Sequence, residues 1–156
     1  MSTIEVLELQ PSSPEIKTCA RWRLEAFSDV LEASAEEAER SLDQFVRNPG
    51  AGMALIAKLN GVLVGTCLLV PKELEPCHPV SPWLAGLYVD PMYRMHGVGK
   101  TLVRAIEDEA RLQGHYRLYL YTRSALGYYQ RQGWIKEDRF DWKGIPTTMM
   151  VRYLRP

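Results

Sequence analysis

Along TIEVLEL, Thr3 to Leu9, apolar and acidic side chains alternate with the two-residue period of a half-buried strand. Ser13, Pro14 and Glu15 then supply N-terminal helix signals, and the helix continues through CARWRLEAF. A second helix is predicted from Ser34, with Glu37 three residues on as a capping-box partner, to the breakers Asn48, Pro49 and Gly50. MALIAKL and VLVGTCLLV read as two strands of a hairpin, because the Asn60-Gly61 pair between them suits a tight turn. WLAGLYV, Trp83 to Val89, is a further strand, stopped at Asp90-Pro91 because proline can neither donate to a ladder nor let its predecessor turn helical. A helix follows from about Gly99 to Gln113, with Val98, Leu102, Val103, Ile106 and Ala110 on one stripe and Gly114 as its stop. RLYLYT is apolar on both faces, as an interior strand would be, and a short helix from about Ser124 to Arg131 ends at Gly133. GWIKEDRF and TTMMVRYL supply two last strands around a turn at Lys143-Gly144. The predicted order is strand, two helices, three strands, helix, strand, helix, two strands: an α/β fold with one mixed sheet and no internal repeat.

Composition narrows the partners. A chain of 156 residues makes a single domain, 1–156, with no room for a separate cofactor domain. Its 19 basic and 19 acidic side chains remove the electrostatic case for a nucleic-acid or membrane-surface protein. Cys19, Cys67 and Cys77 are odd in number and contain no C-x-x-C pair, so neither a disulfide framework nor a zinc site is suggested, and no other metal constellation stands out. They read as small core hydrophobes in a reducing cytoplasm. MSTIEVLELQ lacks a basic region followed by a long apolar run, and no stretch approaches the roughly 18 apolar residues of a membrane helix, so a cytoplasmic, unprocessed protein is expected.

The chemistry begins at YRMHGVGKT, Tyr93 to Thr101, where a strand gives way to a helix. Its closing Gly99-Lys100-Thr101 matches the end of a P-loop, but the first glycine of that motif would fall at Arg94. A dinucleotide fingerprint fails too, since its third glycine would be Leu102. What survives is physical. Gly97 and Gly99 let backbone approach an anion, the first amides of a helix point at it, and Arg94 adds a full charge. Lys100 and Thr101 need no special role.

The pattern Arg94-x-x-Gly97-x-Gly99 after Val-Asp-Pro resembles the acyl-CoA pyrophosphate loop of the GNAT N-acetyltransferase superfamily. LAGLYVDPMYRMHGVGKTLV matches that family's strand, loop and helix, and ALGYYQRQGW matches its short helix at the correct separation. Gly86 is odd inside a strand and signals a bulge or a close backbone approach. The resemblance implies a single-domain GNAT fold in which this strand splays from the next. It implies that Leu87, Tyr88 and Val89 pair with the pantetheine arm and polarise the acetyl carbonyl. The amides from Arg94 or Met95 through His96, Gly97, Val98, Gly99 and Lys100 would hold the pyrophosphate. It makes Tyr129 the acid for the departing thiolate, with Tyr128 in a neighbouring packing position.

The implied activity is acetyl transfer from acetyl-CoA to a primary amine by direct attack in a ternary complex, without a metal. The acceptor side would come from the first two helices and their connection, with Trp22, Glu25, Asp29, Glu32, Glu36 and Glu37, and from Trp83. Trp83 to Val89 holds no carboxylate, so the base is open among Glu73, Glu75, His78 and a water relay. A small amine, a peptide N-terminus, a lysine, or a CoA-sensing role without turnover all remain compatible, as does a homodimer.

Overall fold

The computed structural model describes residues 3–26, 33–73 and 78–155. Within them seven strands form one sheet in the order β1-β2-β3-β4-β5-β7-β6. The strands are β1 Ile4–Glu8, β2 Met53–Leu59, β3 Val62–Val70, β4 Trp83–Val89, β5 Arg117–Thr122, β6 Ile135–Trp142 and β7 Ile145–Tyr153. The helices are α1 Glu15–Ala26, α2 Ala35–Arg47, α3 Val98–Leu112 and α4 Leu126–Arg131. All neighbouring strands are antiparallel except β4 and β5, which run parallel.

Local chemistry accounts for the elements. Asn60 and Gly61 both take positive φ, 51° and 83°, as a two-residue hairpin turn requires, and β2 and β3 flank them. Ser34 caps α2 by accepting from the Glu37 amide at 3.1 Å. The predicted stripe of α3, Val98, Leu102, Val103, Ile106 and Ala110, is wholly buried, and each large side chain contributes roughly 1.5–3 kcal/mol.

Alternation along the strands sends one set of side chains to each face. One core joins α3 and α4 to the sheet through residues such as Leu55, Cys67, Leu118 and Tyr129. The other joins α1 and α2 to it through Trp22, Leu42, Ile56 and Trp83. Thus α3 and α4, expected to carry the anion loop and the acid, share one side of the sheet, and α1 and α2, expected to face an acceptor, share the other.

Candidate functional site

Between β4 and β5 the ladder shrinks to one register pair, Trp83 with Tyr119, supported by a 3.1 Å bond from the Tyr119 amide to the Pro82 carbonyl. Beyond that point the strands part. Gly86, at φ +61°, is the extra residue on β4: Ala85 pairs with Leu68 and Tyr88 with Thr66, so three steps on one strand match two on the other. The Asp90 amide donates to the Val64 carbonyl of β3 at 2.8 Å. Because successive backbone groups point to opposite strand edges, the amides of Leu87 and Val89 face the gap. An extended chain could pair there as an added strand.

The gap opens into a cleft of about 1170 Å³ whose wall includes Leu84, Gly86 and Leu87 of β4, Leu120 and Thr122 of β5, and Tyr129 of α4. Tyr129 is 7% exposed and packs edge-on against Tyr128 and Trp134, at centroid distances of 5.1 and 6.0 Å. Burial, reinforced by neighbouring Cys67 and Tyr128, pushes its phenol well above the usual tyrosine range, so it stays protonated through neutral pH. Its position is set by the α4 turn, where the amides of Gln132 and Trp134 both donate to the Tyr129 carbonyl.

At the other end of β4, Asp90 caps a short 3₁₀ turn over Pro91–Tyr93, its carboxylate accepting from the Met92 amide at 3.0 Å. Met95 and Gly97 then take left-handed φ of 69° and 81° on either side of His96, turning the chain from β4 into α3. The α3 ladder begins with the Thr101 amide donating to Gly97 at 3.0 Å, so the amides of Val98, Gly99 and Lys100 have no acceptor within the helix. Thr101 also donates its hydroxyl to the Gly97 carbonyl at 2.7 Å. His96 Nδ1 lies 2.9 Å from the Arg94 carbonyl and 3.2 Å from that of Tyr93; carbonyls only accept, so this nitrogen carries the proton and braces the loop. Arg94 is exposed and donates from Nε to the Val89 carbonyl at 3.3 Å, tying the loop to the end of β4. The side chain of Met95 is fully exposed at 101%, whereas that of Val98 is in the core, so Val98 has only its amide to offer an anion.

Gly99 has a different reason from the one its motif suggests. A Cβ there would lie 2.6 Å from the Tyr128 hydroxyl, whereas one on Gly97 would meet nothing within 4 Å. Gly99 therefore lets α4 close against α3, and Gly97 provides the left-handed turn.

The acceptor-side expectations separate. Trp22 is 4% exposed and stacks on Tyr88 at 5.3 Å, and Trp83 is 0% exposed, stacked on Tyr121 at 4.4 Å with its indole N–H donating to Val80. Both indoles are packed in the core, Trp22 from α1 and Trp83 from β4. Glu25 is exposed, pairs with Arg21 at 3.7 Å and accepts from the Tyr88 hydroxyl at 3.4 Å; like Glu36 and Glu37 it is not in the cleft wall. Asp29, Glu32, Glu75 and Cys77 lie outside the described residues.

Glu73 does line the cleft, half-buried, and burial raises its carboxyl above the ordinary range while Arg23 pulls the other way. His78 instead bridges strands, its Nδ1 2.7 Å from the Tyr121 hydroxyl and its Nε2 3.1 Å from Asp138. Arg23 was not singled out by sequence; as one of two arginines in CARWR it is indistinguishable there from a solvated helix charge. Among the described residues no group of three or more His, Cys, Asp or Glu could hold a metal ion.

Residues 16–134 match the Acetyltransferase (GNAT) family, and the chain belongs to it. It is accordingly an N-acetyltransferase whose acyl donor is acetyl-CoA. Solved structures with the same fold include an aminoglycoside 6'-N-acetyltransferase complexed with coenzyme A, 19% identical, with 97% of this chain and 98% of that one covered at a TM-score of 0.75. A ribosomal-protein-alanine N-acetyltransferase from Brucella melitensis is 19% identical, covering 95% and 99%, TM-score 0.73. A GNAT-family acetyltransferase from Staphylococcus aureus Mu50 is 19% identical, covering 98% and 100%, TM-score 0.71. At such identities the likeness is one of fold. No helix among the described residues is long and apolar enough to cross a membrane.

Proposed function

We propose that the protein acetylates a small primary amine, by direct attack on the thioester in a ternary complex. The observation that carries this reading is the parting of β4 and β5 beyond Trp83 and Tyr119 into a cleft lined by Tyr129. Acetyl-CoA supplies the acetyl thioester. The β4 edge at Leu87 and Val89 offers amides to its pantetheine and to the oxygen that gains charge, and the Met95 to Lys100 loop offers amides to its pyrophosphate. Tyr129 donates its proton to the leaving thiolate, since its hydroxyl has no hydrogen bond among the described residues and its elevated pKa keeps it protonated. Glu73, in the same cleft, takes the proton of the incoming ammonium.

A thiol-release assay across polyamines, aminoglycosides, amino acids and short peptides tests this directly. Turnover with a small amine supports it; turnover with peptides alone would move the acceptor to a polypeptide, and acetyl-CoA binding without any turnover would favour a sensor. Thermal shifts add a control: stabilisation by magnesium ATP but not by acetyl-CoA would sink the assignment of the loop. Arg94→Ala is expected to weaken acetyl-CoA binding several-fold with little change in kcat, read by titration of the cofactor.

A further inference from the structure

We infer that the acceptor amine also carries a carboxylate, and that Arg23 is the residue that holds it. This rests on the acetyltransferase reading above and names its substrate class. Arg23 projects from α1 into the cleft wall beside Leu68, Gly86 and Leu87. Its Nη1 lies 2.8 Å from where a Gly86 Cβ would stand, so the guanidinium occupies the hollow that the bulge leaves at the reacting edge of β4.

The arginine stands out in being half-buried without a hydrogen bond or ion pair among the described residues, where other unpaired arginines such as Arg40, Arg104 and Arg131 are exposed. Arg21, Arg47, Arg111 and Arg152 each have an acidic partner, and Arg94 has the Val89 carbonyl. Arg23 makes no hydrogen bond or ion pair among the described residues, and feels Glu73 and the Cys19 thiol only at longer range. It is half-buried, and burial lowers its pKa, the mark of a cation short of solvent. A desolvated charge is costly unless paired, and a guanidinium pairs best with a planar two-oxygen anion.

The surroundings select the same ligand. The described cleft wall sets Arg23 in the same cleft as a carboxylate, Glu73. Arg23 and Glu73 influence one another electrostatically across the site, so together they complement a molecule bearing both signs, its carboxylate on Arg23 and its ammonium toward Glu73. An amino acid with a free carboxyl has that form; an aminoglycoside or a polyamine has not.

The experiment compares matched acceptors, free amino acids against their carboxamides, by thiol release at saturating acetyl-CoA. The carboxylate member is expected to have a kcat/KM at least about tenfold higher, the size of one lost charge-assisted contact. In Arg23→Gln that ratio collapses toward one, and in Arg23→Lys, which keeps the charge but not the fork, it falls only in part, while KM for acetyl-CoA changes less than about twofold. Calorimetry of the CoA-loaded protein with N-acetyl amino acids and their amides gives a readout independent of turnover, and a thermal melt confirms that the variants fold. Carboxamides as good as carboxylates, or a preference unmoved by Arg23→Gln, would overturn the proposal. CoA binding with polyamine turnover and no carboxylate preference sinks the Arg23 site but leaves the acetyltransferase reading intact, whereas failure to bind acetyl-CoA sinks both.

Discussion

A phenol and a carboxylate in one cleft are pushed in the same direction by the same force, and the two shifts have opposite kinetic signatures. Burial keeps Tyr129 protonated beyond the ordinary tyrosine range. Tyr129→Phe is expected to lower kcat on the order of 100-fold with acetyl-CoA affinity nearly unchanged. Wild-type turnover in that variant would exclude the role, and no loss of kcat between pH 7 and 9 should trace to this proton. Glu73 works as a base only when ionised, so with its pKa raised by burial, kcat/KM should climb with pH along a limb lying above the ordinary carboxyl value of 4.5. Glu73→Gln is expected to flatten that limb, measured by pH profiles of both proteins. Tyr129 could be placed from its register before Gly133; Arg23 could not, because nothing in CARWRLEAF distinguishes a charge facing a cleft from one facing water.

At the scale of elements, three glycines around β4 and α3 have three separable functions. Gly97 needs positive φ but has open space around it, so Gly97→Ala should cost about 1–2 kcal/mol of stability and perturb the anion loop without a clash. Gly86 combines positive φ with the crowding of Arg23, and Gly86→Ala is expected to cost more than Gly97→Ala and to displace the guanidinium as well. Gly99 is limited by contact alone: Gly99→Ala would drive its methyl into the Tyr128 hydroxyl, and Tyr128→Phe in the same chain should recover much of the lost stability, since the next ring atom is 3.7 Å away. Failure of that rescue in denaturant melts would mean that α4 does not rest on Gly99. The strands and helices themselves were readable, with β2 to β5 beginning and ending as the alternation and breakers indicated. The contact that makes Gly99 necessary was not, because Tyr128 is 29 residues away in the chain.

Across the whole molecule the buried thiols make the fold sensitive to alkali. Burial raises Cys19 from 9.0 to about 11, partly opposed by its hydrogen bond with Thr66, and Cys67 shifts the same way. A thiol is neutral in both folded and unfolded chains below pH 9, so its contribution to stability is complete there. Above pH 9 the unfolded chain ionises first, and stability falls by roughly 2–3 kcal/mol from Cys19 as the pH passes through about 11. Urea midpoints across that range should show the decline, and Cys19→Ala should make it shallower; an unchanged slope would refute the assignment.

What the sequence determined by itself was local or periodic: the order of elements, the hairpin at Asn60-Gly61, the turn through Gly97 from β4 into α3, and the place of Tyr129 on the short helix before Gly133. These follow from backbone conformational preferences and from side-chain periods, both encoded within a few residues. Tertiary structure alone decided which charges face the cleft. Only the pairing of β3 with β4, and its near absence between β4 and β5, turns Gly86 into a hollow and seats Arg23 in it. The same packing draws Trp22 and Trp83 inward and leaves Glu73 in the wall, because burial depends on what lies across the sheet and not on what lies beside a residue in the chain.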